Sequence, residues 1–321
     1  MFRTYFEGRK KMRHPPYHLR LNKAVDRMSF MQAIGKLSRL TDLSEYTYYC
    51  LGGPYLEDCR LLYEFHPQIR MVSIEENEDT FKRQAFHLPC GLLDLRHEEF
   101  GSFLAQYEPE DRKSIFWLDY TGLEFGHFEE FMVLLSKVTA NSLVKVTLQS
   151  DPRSNKNAET FRRKFESLLP KPSAAPPATT REFANLIQQM LQVASQKALP
   201  AEMSNVFQPV ESFYYSDGTS MFTLTGVVCA RAERENVRAV FGGLQFANLD
   251  WQLPRKIDLP ALSTKERLHV QHLLPRVDGA GSVLRESLGY LIEADRETTE
   301  TRLQQYADYH RLFPYFIKAT P

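Results

Sequence analysis

Two adjacent glycines, Gly52 and Gly53, stop an apolar run, and an acid, Glu75, follows twenty-three residues after the first of them. A glycine pair at the carboxyl end of a strand admits positive φ and lets a ligand lie against bare backbone. The helix expected next would offer free N–H groups and a positive dipole end to a carboxylate or phosphate. Glu75 has the right spacing for a carboxylate that accepts hydrogen bonds from a ribose diol. Asp94 closes a third apolar stretch, where a polar side chain could meet an adenine edge, and Asp119 closes a fourth, over the crevice where a reacting group would sit. Together these residues predict an adenosine-containing ligand. A structural reading stays open beside it. Gly-Gly ends many strands, the pattern is G-G-P rather than G-x-G-x-x-G, and Pro54 suits a helix start.

A second group of polar residues lies upstream. His18, Arg20, Asn22, Lys23 and Arg27 could lid the crevice or grip an anionic substrate. Alternatively, Asn22 is a helix N-cap and Asp26 pairs with Lys23 or Arg27 on a solvated face. The run "GRKKMRH" belongs to a basic start, with eight Lys or Arg against two acids in the first 27 residues. Such a run is read first as a solvated terminus, with RNA, DNA or protein as the alternative partner. The histidines show no metal spacing, so no catalytic metal is expected, and His87 and His127 read as surface or packing residues.

The elements that must position these residues follow from hydrophobic periodicity. The 321 residues are 43% hydrophobic and 25% charged, with a formal net charge of zero, which removes any bulk attraction to nucleic acid or anionic membrane. Cys50, Cys59, Cys90 and Cys229 form no C-x-x-C pair. Their apolar neighbours predict buried free thiols rather than a disulfide framework or a zinc site, in keeping with a reducing cytoplasm. No apolar run is long enough to span a bilayer.

An amphipathic helix is expected over 22–40. Strands over 46–51, 70–74, 91–95, 114–120 and 142–150 then alternate with helices over 56–65, 78–86, 98–106 and 125–138. Alternation of this kind predicts βαβ units and a mostly parallel sheet covered on both faces. Two further helices flank a Pro/Ala/Ser/Thr linker at 170–180. A hairpin turns at Ser-Asp-Gly, and "STKE" at 263–266 is a capping box. A last helix is expected over 296–312. The organisation expected is a basic segment and helix over 1–45, a core over 46–230 with an inserted helical arm over 151–205, and a mixed region over 231–321.

The glycine turn, the acid ending the second strand, the Asp ending the fourth and the closing hairpin resemble class I S-adenosylmethionine-dependent methyltransferases. More narrowly, "YHLRLNKAVDR", "LGGPYLEDCRLL", "SIEENEDTFKRQAFHLP" and "FWLDYTG" are similar to a group of bacterial proteins labelled O-methyltransferases, over about residues 17–230. The resemblance implies an α/β Rossmann-like fold with a seven-stranded sheet, mostly parallel and ending in an antiparallel hairpin. It implies that Gly52 and Gly53 contact the methionine part of the cofactor, Glu75 the ribose and Asp94 the adenine. Asp119 would face the transfer site, and Asp119 or Tyr120 would align or deprotonate the acceptor. Cys50 and Leu51 stand where such proteins carry an acid before the glycines. "DYTG" replaces the Asn/Asp-Pro-Pro-Tyr/Phe of enzymes that methylate exocyclic amines. Two functions therefore stand side by side. One is a methyltransferase of unknown acceptor. The other is a non-catalytic subunit that binds a protein partner through 151–205 or the C-terminal region, in a bacterial multi-gene system such as antiviral defence.

Overall fold

The computed structural model describes residues 20–109, 112–155, 157–170, 176–275 and 279–313. His18 and the basic run at 8–14 lie outside the described residues.

The chain opens with helix α1 (Leu21–Leu37) and then alternates: β1 (Tyr46–Cys50), α2 (Glu57–Phe65), β2 (Arg70–Ile74), α3 (Glu78–Phe86), β3 (Leu93–Arg96), α4 (Phe100–Gln106), β4 (Lys113–Asp119), α5 (Phe125–Lys137) and β5 (Ser142–Gln149). Helices α6 (Ala158–Phe165) and α7 (Thr180–Ala198) lead to the hairpin β6 (Asn205–Ser216) and β7 (Ser220–Ala230). After α8 (Arg234–Phe241) come β8 (Arg255–Ile257), α9 (Thr264–Gln271), α10 (Ala280–Leu288) and α11 (Arg296–Tyr309).

All eight strands form one sheet in the order β3-β2-β1-β4-β5-β7-β6-β8. The first five strands pair in parallel, and β7 runs antiparallel to both β5 and β6. Seven strands were expected. The eighth, β8, adds three residues in parallel to β6. So short a run, between Pro254 and Pro260, carries no periodicity from which to foresee it.

Period-two alternation divides the core. Phe116 and Leu118 of β4 enter a cluster with Phe128, Phe131 and Leu134 of α5 and Phe183, Ile187 and Met190 of α7. Their neighbours Ile115 and Trp117 enter the opposite cluster, with Phe30 and Ile34 of α1, Leu62 of α2 and Phe241 of α8. Each such side chain contributes roughly 1.5–3 kcal/mol by leaving water. Within the expected arm over 151–205, α7 does not project. It is a full member of the helical layer, because one whole apolar face, Phe183 to Ala194, is buried. A third cluster joins β6, β8, α9, α10 and α11 to Val25 of α1, so the C-terminal region packs on the start of α1.

Helix α1 is buried on charged as well as apolar positions. One of the two alternatives left open by the sequence puts Asp26 on a solvated face beside Lys23 or Arg27; it is fully buried instead. Its Oδ1 accepts hydrogen bonds from Lys145 Nζ at 2.6 Å and from Thr223 Oγ1 at 2.9 Å. The Lys145 ammonium also lies 5.3 Å from the Phe30 ring centroid and 5.1 Å from that of Trp117. Beside the pair, Glu211 accepts from Ser29 Oγ at 2.8 Å, and burial pushes its carboxyl up to about 8. A buried cation on β5 therefore fixes α1 to the sheet.

Candidate functional site

The carboxyl ends of β1, β2 and β4 open onto a cleft of about 460 Å³, within the range of small-molecule sites. Gly52, Gly53, Glu75, Asp119 and Tyr120 all line it.

The glycine bend is shaped from below. Neither Gly52 nor Gly53 has positive φ; Leu56 takes the left-handed conformation instead, at φ 49° and ψ 42°. A Cβ on Gly52 would lie 2.4 Å from Ser73 Oγ and 3.2 Å from Gln84 Nε2. Gln84 Nε2 donates to the Gly52 carbonyl at 2.6 Å. The missing side chain thus makes room for β2 and α3, while the buried Leu56 side chain holds a strained backbone in the loop that borders the cleft. Helix α2 begins only at Glu57, so Pro54 stays in the loop, and the first turn carries Glu57 and Asp58 rather than open space for an anion.

Glu75 leaves the end of β2 half-buried, and its Oε1 accepts from the Asn77 N–H at 2.7 Å. Burial raises its carboxyl above the usual range, and that hydrogen bond partly offsets the rise. Asp94 does not join the others. It stands two residues before the end of β3, its side chain is 56% exposed, and it pairs with Arg96 Nε at 2.8 Å. The strand runs on past it, so Glu98 and Glu99 reach the cleft in its place.

Asp119 sits at a junction. It lines the first cleft, a second cleft of about 360 Å³ and a pocket of about 10 Å³. Its Oδ2 accepts from Lys23 Nζ at 2.5 Å, with the Lys23 side chain 8% exposed. Tyr120 and Thr121 are also shared by the two clefts, and Arg20, Lys23, Tyr215 and Asp217 line only the second. Asp217, in the hairpin turn, caps α1 from outside the helix. Its carboxylate accepts the N–H of Lys23 at 2.9 Å and of Asn22 at 3.4 Å. Burial raises that carboxyl and these bonds lower it. Asn22 lines neither cleft. It clamps the turn through Nδ2 to the Ser216 carbonyl at 3.2 Å, and its Oδ1 accepts from the Leu259 N–H at 2.9 Å. Arg27 faces the small pocket and pairs with Glu57 at 3.1 Å.

Tyr120 Oη donates to Glu130 Oε2 at 2.5 Å, and its ring stacks on His127 with centroids 4.0 Å apart. Burial first, then the Glu130 charge, holds the phenol well above its ordinary value. The phenol therefore keeps its proton, which it donates to Glu130. Burial lowers the His127 pKa, and Nδ1 accepts from the Glu124 N–H at 3.2 Å. The ring is thus neutral with its proton on Nε2. His127 was read as a surface or packing residue. With Glu130 one turn further along α5, it forms a wall of the cleft, and that i,i+3 pair after the fourth strand was the available signal. In all, six carboxylates line the first cleft (Glu75, Glu76, Glu98, Glu99, Asp119, Glu130), with no Lys or Arg among its described lining residues. Among the described residues, no helix is long and apolar enough to cross a membrane.

The strand order, the antiparallel β7 and a cleft at the ends of β1, β2 and β4 define a Rossmann-like methyltransferase fold. The chain belongs to the family described as "Putative O-methyltransferase", matched over residues 15–321. No curated protein matches it. Similar solved structures include Trm1 from Pyrococcus horikoshii with S-adenosyl-L-methionine, at 10% identity and a TM-score of 0.48 over 92% of this chain and 80% of that one. Another is the O-methyltransferase from Bacillus cereus with SAH, at 12% identity and a TM-score of 0.37 over 63% and 80%.

Proposed function

We propose that the protein is an S-adenosylmethionine-dependent methyltransferase whose cofactor lies in the 460 Å³ cleft. One observation carries this reading: in a chain of this family, the bend at Gly52–Gly53, the Glu75 carboxylate and Asp119 converge on a single cleft. The residues present suit the cofactor. Glu75 accepts from the ribose hydroxyls, and the backbone at Gly52 and Gly53 lies along the methionine part. The acid-rich lining favours a ligand bearing a sulfonium and an ammonium. Asp94 pairs with Arg96 and does not line the cleft, so the adenine edge falls to the turn at Glu98 and Glu99.

When bound, the cofactor supplies an already activated methyl group. The chain then has to align an acceptor and exclude water. The acceptor approaches from the 360 Å³ cleft and meets the cofactor cleft at Asp119, Tyr120 and Thr121. Lys23 holds Asp119 at that junction, and Asp217 holds the turn of α1 that presents Lys23. The free thiols fit a reducing, cytoplasmic setting.

Calorimetry with S-adenosylmethionine tests the reading. Wild type is expected to bind, and Glu75→Ala to bind at least about tenfold more weakly, the loss of a charge-assisted hydrogen bond. Absence of heat at millimolar cofactor with folded wild-type protein would overturn it.

A further inference from the structure

Beneath the glycine bend lies a group of ligating side chains that the proposed chemistry does not use. Cys50 is the last residue of β1, and Asp58 and Cys59 open α2. Both thiols are free and buried, with their Sγ atoms 3.5 Å apart. A ligand atom from each of the three residues lies within 4.8 Å of the others.

We propose that Cys50, Asp58 and Cys59 form a binding site for one thiophilic divalent cation of the zinc class. Zinc bonds thiolate at about 2.3 Å, which sets the sulfur–sulfur edge of a tetrahedron at about 3.8 Å. The observed 3.5 Å therefore needs only a few tenths of an ångström of opening. Two soft sulfurs and one carboxylate select zinc over magnesium or calcium. Binding releases the two thiol protons, leaving two thiolates and a carboxylate around the ion. An outer partner is already in place: Tyr48 Oη donates to Asp58 Oδ2 at 2.6 Å, which orients the carboxylate. Asp58 also lines the pocket of about 10 Å³ beside Gly53 and Leu56, room for about one water on the carboxylate's side of the site.

The sequence hid this grouping, because a C-x8-C spacing has no zinc signature. It arises because the loop from Leu51 to Leu56 returns the chain beside the strand it left. An ion here clips both ends of that loop and fixes the bend on the cleft floor. Neither Cys50 nor Cys59 lines the cofactor cleft, so the site stands or falls independently of cofactor binding.

The test is titration of reduced, chelator-treated full-length protein with Co²⁺ alone. The expected result is a thiolate-to-cobalt charge-transfer band in the near ultraviolet that saturates at one equivalent and is displaced by Zn²⁺. Cys59→Ser is expected to abolish the band and Cys229→Ser to leave it unchanged. Tyr48→Phe is expected to keep it while weakening Co²⁺ binding about 10–100-fold. No band from folded wild type in excess Co²⁺ overturns the site, as does a band that survives in Cys59→Ser. Should Cys59→Ser not fold, Cys50→Ala and the wild-type titration decide.

Discussion

Replacing Lys145 with Met removes the cation that holds α1 on the sheet while keeping most of the side-chain volume. Lys145 is 1% exposed and Asp26 0%, and their atoms meet at 2.6 Å. At an effective dielectric of about 20, that separation corresponds to a gross attraction of about 6 kcal/mol. Desolvation of both ions cancels much of it, so the pair itself is close to neutral against an apolar isostere. The single substitution is a different matter. It strands Asp26 with only the Thr223 hydroxyl, since its Oδ2 has no partner. Breaking a buried pair in this way costs about 3–5 kcal/mol. Unfolding entropy grows with length, so a chain of 321 residues loses about 1.5 °C of melting temperature per kcal/mol, and the midpoint should fall by roughly 4–8 °C. The assay is a double-mutant cycle in urea with Lys145→Met, Asp26→Leu and the pair. The double variant should recover most of the loss, with a coupling of at least about 2 kcal/mol. A cost below about 1 kcal/mol for Lys145→Met, or simple additivity, would refute the reasoning.

Three other outcomes follow from the same geometry. Gly52→Ala should lose about 1–3 kcal/mol of stability and weaken cofactor binding, because its Cβ would meet Ser73 Oγ at 2.4 Å; Gly52→Ala with Ser73→Gly should recover part of both in thermal melts and calorimetry. The Glu211 carboxyl rises on folding from its ordinary 4.5 to about 8, so the folded state holds the proton more tightly and stability falls as pH rises through that window. The slope is at most about 1.4 kcal/mol per pH unit, and Glu211→Gln should flatten it in urea melts at several pH values. With the cofactor in the proposed cleft, the six carboxylates lining that cleft should favour the sulfonium over the uncharged thioether of the product. Raising salt should therefore weaken S-adenosylmethionine more than S-adenosylhomocysteine in paired calorimetric titrations.

Much of the fold was legible because its signals are local. The short continuous apolar run in "SIFWLD" marked β4, and Ser-Asp-Gly marked the hairpin turn. Residues at strand ends were also legible, since a strand's end fixes where its last side chain goes; Glu75 and Asp119 are examples. Asp94 was misplaced by the same rule, because β3 runs to Arg96 rather than ending one residue after it. What the sequence did not disclose depends on distant partners. Lys145 looks like an ordinary strand lysine until Asp26, 119 residues away, meets it in the core. Asp217 is a turn residue by sequence and becomes the cap of α1 only through a contact spanning 194 positions. His127 has no metal spacing, and its one sequence signal, the i,i+3 pairing with Glu130, gains meaning only once the first turn of α5 sets both residues on the cleft.

The most direct measurement is a crystal structure with S-adenosylhomocysteine bound. The ribose should lie within hydrogen-bonding distance of Glu75, with the homocysteine part along Gly52 and Gly53 and the sulfur turned toward Asp119. A nucleoside bound elsewhere, or one that leaves Glu75 paired only with Asn77, would contradict the assignment of this cleft.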